Sequence, residues 1–355
     1  MRRGLLAWSK TEIPRTVFDM RIAQTQAAMA ADGVEALLVY TNHTRPAAVS
    51  WLTGFVPYWS ECMLFLPGNG RPTLAAALSK RVHEWIAQTS WIEGIVAAPR
   101  LGTEIAKLCV PNFAGRRIGV LEYDTLPTRI AQDLAAGGVT NVVDATALFE
   151  RLRLAADGTE IALATHAAQI ARDALAKAPE HPGEVAAAVA AVENAARWQG
   201  AEEVYVAVAT DLREYPAYYR AHGLGTMTGE TYGVRLTVAY KGHWVRMSRI
   251  LSADEHVSGA VHRATERFAD AAVRLPDLAG LMTASSWMIE GTTASLPLQP
   301  LAESWGTGVP SQPLDGKAVT VSATFNVDGL PLRVVAPVLV GTAGRPGALL
   351  AAPAG

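Results

Sequence analysis

Apolar and polar positions change period several times in the first 150 residues. "RIAQTQAAMAADGVEALLVYT" spaces its apolar residues as on one helix face, stops at Gly33, then runs almost continuously apolar. That order predicts a helix, a turn and a buried strand. "CMLFLPGNGRPTLAAA" reads as two strands folded across a Pro/Gly turn, "RRIGVLEYD" as a strand, and "LPTRIAQDLAAG" as a helix closed by Gly137. "TNVVDATAL" adds one more strand-like piece. Strand and helix signals alternating in this way predict an α/β domain over residues 1–150.

The texture then changes. "DGTEIALATHAAQIARDALAKA" predicts a long Ala-rich helix with Asp157 or Thr159 as its N-cap, and "PGEVAAAVAAVENAARWQGA" a second from Pro182 to Gly200. A helix near 256–273 and a strand-rich final third follow. Antiparallel strands with helices packed on one face, an α+β domain over residues 151–355, suit that order.

Composition narrows the setting. The chain has 355 residues, half of them hydrophobic and 18% charged, with a net charge of -2. Such a balance suits a folded protein with a substantial core and gives no overall attraction to nucleic acid or anionic lipid, so neither is expected as a partner. Two cysteines, Cys62 and Cys109, are too far apart for a zinc-type spacing and predict buried free thiols. "MRRGLLAWSKTEIPR" lacks a long apolar stretch and no window reaches membrane-span length, so a cytoplasmic protein is expected.

Candidate chemistry concentrates in "VRLTVAYKGHWVRMSRI", two alternating strands around a "YKG" turn that carry Arg235, Lys241, His243, Arg246 and Arg249 without one acid. A buried guanidinium needs solvent, a carboxylate or an anionic ligand. Strand parity puts Arg235, Thr237 and Ala239 on one face with Trp244, Arg246 and Ser248, and turns His243 and Arg249 away. In "YPAYYRAHG", Tyr218 and Tyr219 are phenolic donors or packing residues, and His222 is an acid–base candidate or a solvated loop residue. No G-x-S-x-G motif and no Gly-rich phosphate loop is present.

The chain resembles the pita-bread family that includes creatinase, prolidase and aminopeptidase P. "RIAQTQAAMAADGVEALLVYT" with "VSWLTGF" resembles the creatinase-type N-terminal domain, and "DGTEIALATHAAQIARDAL" through "DGKAVTVSATFNVDGLPLRVVAPVLV" the pita-bread domain. Metal-dependent members hold a dinuclear centre with two aspartates eleven positions apart. Anchored on "YKG" and the terminal "SR", those positions fall at Arg235 and Arg246, which keep the spacing. The family's remaining ligands fall at Trp305 in "ESWGTGV", Ser322 in "VTVSATF" and Val335 in "LRVVAPV". The resemblance therefore implies a cleft with no metal and no cofactor.

It also implies that Arg235, Arg246 and Arg333 converge on one concavity, where guanidinium groups bind carboxylate in a bidentate manner. The bland alternative pairs them with local acids such as Glu230 or Glu303, or with solvent. The expected function is metal-independent hydrolysis of a C–N bond in a small anionic, carboxylate-bearing substrate, the alternative a catalytically inactive ligand- or partner-binding module. Tyr218, His222 and Glu303 are the catalytic candidates, and Arg235, Arg246, Arg333, Trp305, Ser322, Tyr58 and Trp59 the substrate-binding ones. A homodimer is expected, with the aromatic loop around Tyr58 and Trp59 closing the partner's cleft; simple packing is the other reading of that loop.

Overall fold

The computed structural model describes residues 12–57 and 60–353. They form two compact units, one running to Arg153 and including Thr292–Pro297, the other spanning Leu154–Gly291 and the chain from Leu298 onward.

The first unit is an α/β sandwich. Its strands are β1 (Ala36–Asn42), β2 (Glu61–Pro67), β3 (Thr73–Ala76), β4 (Gly94–Ala97), β5 (Ile118–Val120) and β6 (Val142–Asp144). Its helices are α1 (Arg15–Ala31), α2 (Ala47–Thr53), α3 (His83–Thr89), α4 (Leu101–Phe113), α5 (Thr128–Ala136) and α6 (Thr146–Leu152). The sheet order is β4-β3-β2-β1-β5-β6, antiparallel at β1–β2 and β2–β3 and parallel elsewhere. Strand β1 is buried on both faces, with Leu37 and Val39 in one apolar cluster and Ala36 and Leu38 in the other, which is why its sequence is a run rather than an alternation. Gly33, at φ +65°, ends the turn after α1 in a backbone region that suits glycine. Cys62 and Cys109 are free and buried, and burial pushes both thiols up to about 12, so they stay protonated and inert.

The second unit is α+β. Helices α7 (Gly158–Leu175), α8 (Val185–Trp198) and α9 (Glu255–Val273) accompany strands β7 (Glu203–Ala209), β8 (Thr231–Tyr240), β9 (His243–Ser252), β10 (Ser286–Gly291), β11 (Gln299–Glu303), β12 (Ala318–Val327), β13 (Leu330–Leu339) and β14 (Ala348–Leu349). Asp157 caps α7 in a reciprocal capping box with Glu160. Helix α8 starts later than its sequence suggests: Glu184 is the N-cap residue, and Pro182 lies before it.

Two antiparallel sheets result, β7-β8-β9 and β11-β10-β12-β13-β14. The first packs Val204, Val206, Val208, Val234, Leu236 and Val238 under α7 and α8. The second packs Trp287, Ile289, Val321, Ala323, Val334 and Ala336 against α9. Each sheet thus spends one face on a core and turns the alternate residues to the other face.

Candidate functional site

The non-core faces of these two sheets meet at β9 and β13, and one serine makes the joint. The Ser248 hydroxyl donates to the Arg333 carbonyl at 3.2 Å and accepts from the Val335 N–H at 3.0 Å. Because Arg235 lies directly across from Ser248 in the β8–β9 ladder, this joint sets Arg235 beside Arg333.

The β8–β9 register follows from the turn. Lys241 and Gly242 both have positive φ, +46° and +79°, the pattern of a two-residue type I′ hairpin, and Tyr240 pairs directly with His243. Arg235–Ser248, Thr237–Arg246 and Ala239–Trp244 are therefore cross-strand pairs on one face. Arg249 points the other way, with Nη1 3.4 Å from the Leu175 carbonyl at the end of α7. On the five-stranded sheet, Thr324–Arg333, Ser322–Val335 and Thr320–Pro337 are paired, and β10 adds Ser286, Met288 and Glu290 to the same rows.

Arg246 is held on three sides. Its Nε donates to Thr237 Oγ1 at 3.0 Å, its backbone N–H to Thr320 Oγ1 at 3.2 Å, and its Nη1 to Glu290 Oε2 at 2.5 Å. The Glu290 side chain is only 5% exposed, so this is a desolvated ion pair. The partner is neither Glu230, which is exposed, nor Glu303. Sequence reasoning missed Glu290; its one signal is an isolated acid at the non-core parity of the apolar strand "SWMIEG".

Arg235 and Arg333 are different. Arg235 lies over the Tyr218 ring at 5.3 Å. Burial first, then the like charges of Arg246 and Arg333, press its guanidinium below the ordinary arginine value, while Tyr218 and Glu290 act in the opposite direction. Arg333 Nε is sealed from solvent with no hydrogen-bond partner among the described residues, and so is the Tyr218 hydroxyl. Burial raises the Tyr218 phenol to about 12 against the opposing pull of Arg235 and Arg333, which leaves it a neutral donor at neutral pH.

Tyr218 owes its seat to backbone pairing and to a missing side chain. Tyr219 exchanges backbone hydrogen bonds with Val208 at 2.9 and 3.1 Å, which lays the segment along β7. A Cβ on Gly233 would collide with the Tyr218 hydroxyl and ring. Next to Arg246 on the same face, Tyr205 stacks on Trp244 with centroids 5.9 Å apart and planes 11° apart, and Arg220 covers Tyr205 at 4.3 Å. Sequence reasoning had not marked Tyr205 or Arg220.

The other expected site residues are placed as follows. Ser322 is buried on the same face as Arg333. His222 is half-buried in the loop after Tyr219, with Nε2 3.1 Å from the Tyr219 carbonyl, and no hydrogen bond or ion pair joins it to the arginines among the described residues. Glu303 ends the edge strand β11, three strands from β13 and so about 14 Å across the sheet, and it too has no ion pair with them. Trp305 sits 60% exposed on the turn after β11; the side chain that reaches Arg246 is Glu290, followed by Gly291. Tyr58 and Trp59 lie outside the described residues. Nearby in the first unit, Arg45 pairs with Glu122 at 2.6 Å and Trp51 is a core residue.

A dinuclear metal centre does not fit this donor set. Arg235 and Arg246 present cations where carboxylates are needed, Val335 is apolar, and Ser322 is a single hydroxyl. Among the described residues no three His, Cys, Asp or Glu side chains are grouped to hold a metal ion. No helix among them is long and apolar enough to cross a membrane.

Comparison with known proteins agrees with this architecture. The Creatinase/Prolidase N-terminal domain family matches residues 21–155. Among solved structures, the chain is similar to an X-Pro aminopeptidase from Thermotoga maritima MSB8, with 15% identity, a TM-score of 0.71, and 93% of this chain and 96% of that chain covered. It is similar to an Xaa-Pro dipeptidase from Bacillus anthracis at 19% identity and a TM-score of 0.67, covering 94% and 97%. A prolidase from Pyrococcus furiosus gives 15% and 0.64, covering 92% and 98%. No curated protein sequence matches the chain. Residues 21–155 therefore match the creatinase/prolidase N-terminal domain, and over more than nine-tenths of its length the chain has the fold of prolidases and X-Pro aminopeptidases, with a pita-bread second unit.

Proposed function

We propose that this chain binds a small carboxylate-bearing molecule at Arg235 and Arg333 and does so without a metal. The observation that carries the reading is the set of donors left over there: among the described residues the buried Arg333 Nε and Tyr218 hydroxyl have no partner, and Arg235 has no carboxylate of its own. An unpaired buried donor costs about 1–3 kcal/mol, and a carboxylate seated between the two guanidinium groups relieves both the unpaired donors and the mutual repulsion.

Hydrolysis of a C–N bond is the second reading. The fold favours it, since similar structures are peptidases, and so does Tyr218, a neutral donor beside the ligand position. Against it, Glu290 is engaged by Arg246, and His222 and Glu303 make no contact with the cluster that would let them serve as a base. Binding is thus the better-supported use of the cleft. A homodimer belongs to the same proposal, and a monomeric solution mass at micromolar concentration contradicts it.

Calorimetric titration of chelator-treated protein with small carboxylates tests the main reading. Binding should persist unchanged after chelation, with less than one equivalent of Zn, Mn, Co or Fe in the untreated protein. One or two bound metals whose removal abolishes binding would overturn it. Metal-free turnover of a panel of dipeptides, N-acyl amino acids and creatine-like compounds would promote the second reading.

A further inference from the structure

The charges in this cleft specify more than a carboxylate. Arg246 and Arg333 both act on Arg235, and among the described residues the one carboxylate that acts on it is Glu290. Glu290 neutralises Arg246 by direct contact. Two permanent positive charges are left in excess, on half-buried arginines brought together by Ser248, one of them lying over the Tyr218 ring. A ligand with one negative charge would leave one guanidinium desolvated and uncompensated, an arrangement proteins avoid.

We propose that the ligand of this cleft is a dianion: two negative charges within a few atoms of each other, as in a short dicarboxylate or a phosphate group. This rests on the reading of Arg235 and Arg333 as an anion site. Arg246 contributes field rather than contact, because its Nε and Nη1 are already taken by Thr237 and Glu290. Among the described residues Arg333 Nε and the Tyr218 hydroxyl have no hydrogen-bond partner and Arg235 has no carboxylate, so these are the donors left for the ligand. Two carboxylates would each take one guanidinium; a phosphate would place its oxygens across both.

The test is a calorimetric series on the full-length protein at neutral pH and low salt, with malonate, succinate and inorganic phosphate as dianions and propionate as the monoanion. At least one dianion should bind about 10-fold or more tightly than propionate. Arg333→Gln should shrink that preference to within about 3-fold, because one of the two excess charges is gone. The dicarboxylate and phosphate arms separate the two sources of the same chemistry. If propionate binds as tightly as every dianion, the inference fails while the carboxylate reading stands. If no anion binds, both fall.

Discussion

Arg246 and Arg333 bring the same charge to the same cleft, and their replacement should have opposite effects. Arg246→Met strands Glu290, a carboxylate 5% exposed, without its partner. That should cost about 3–5 kcal/mol of stability in the ligand-free protein. Arg333→Met removes a cation that has no carboxylate partner and that repels Arg235, so the ligand-free protein should keep or raise its melting temperature while losing anion affinity. Thermal melts of the two variants without ligand decide the matter; equal losses would mean that Arg333 has a structural partner. Strand parity in the sequence was enough to put Arg235 and Arg246 on one face, because a side-chain period of two leaves no freedom once the register is fixed, whereas Arg333 joined them only through the resemblance. Glu290 was not legible, since its partner lies 44 positions away and nothing local marks it. Trp305 stands 60% exposed on the turn after β11, and the acid that faces Arg246 comes instead from "IEG" at the end of β10.

At the scale of elements, the seat of Tyr218 depends on Gly233 near the start of β8. A methyl group there would occupy the space of the phenol. Gly233→Ala should therefore destabilise the protein by about 1–3 kcal/mol, the range for overpacking a fitted site, and weaken anion binding as well. Combining it with Tyr218→Ala should recover part of the stability but not the affinity, a coupling readable in a double-mutant cycle. Additive losses would show that the two side chains do not share the space. Caps and turns made most elements legible: Asp157 opens α7, and Lys241–Gly242 closes the β8–β9 hairpin. The junction of β9 with β13 through Ser248 was not, because no local propensity encodes a contact 85 to 87 positions distant. Pro182 misled for a different reason, since a proline permits a helix start without fixing which residue after it becomes the cap.

For the molecule as a whole, the fold class was readable because the alternation of strand and helix signals up to Arg153 and the Ala-rich helices with antiparallel strands beyond Leu154 are different grammars. What the cleft does was less readable, since it turns on which charges find partners across the second unit. That division gives the protein two responses to ionic strength. The Arg246–Glu290 pair is in contact with its carboxylate buried, so mobile ions screen it little, whereas Arg235 and Arg333 are half-buried and their repulsion is open to screening, with a Debye length of about 10 Å at 0.1 M. Adding an electrolyte should therefore raise the melting temperature of the ligand-free protein while lowering its affinity for an anion. The two observables should move in opposite directions along one salt series and independently of which inert anion is used. A parallel fall in both would mean that the ion pairs on the outer surface, rather than the confined charges, set the response. An anion site built on Arg235 and Arg333 would thus have its strength set by the ionic medium around it.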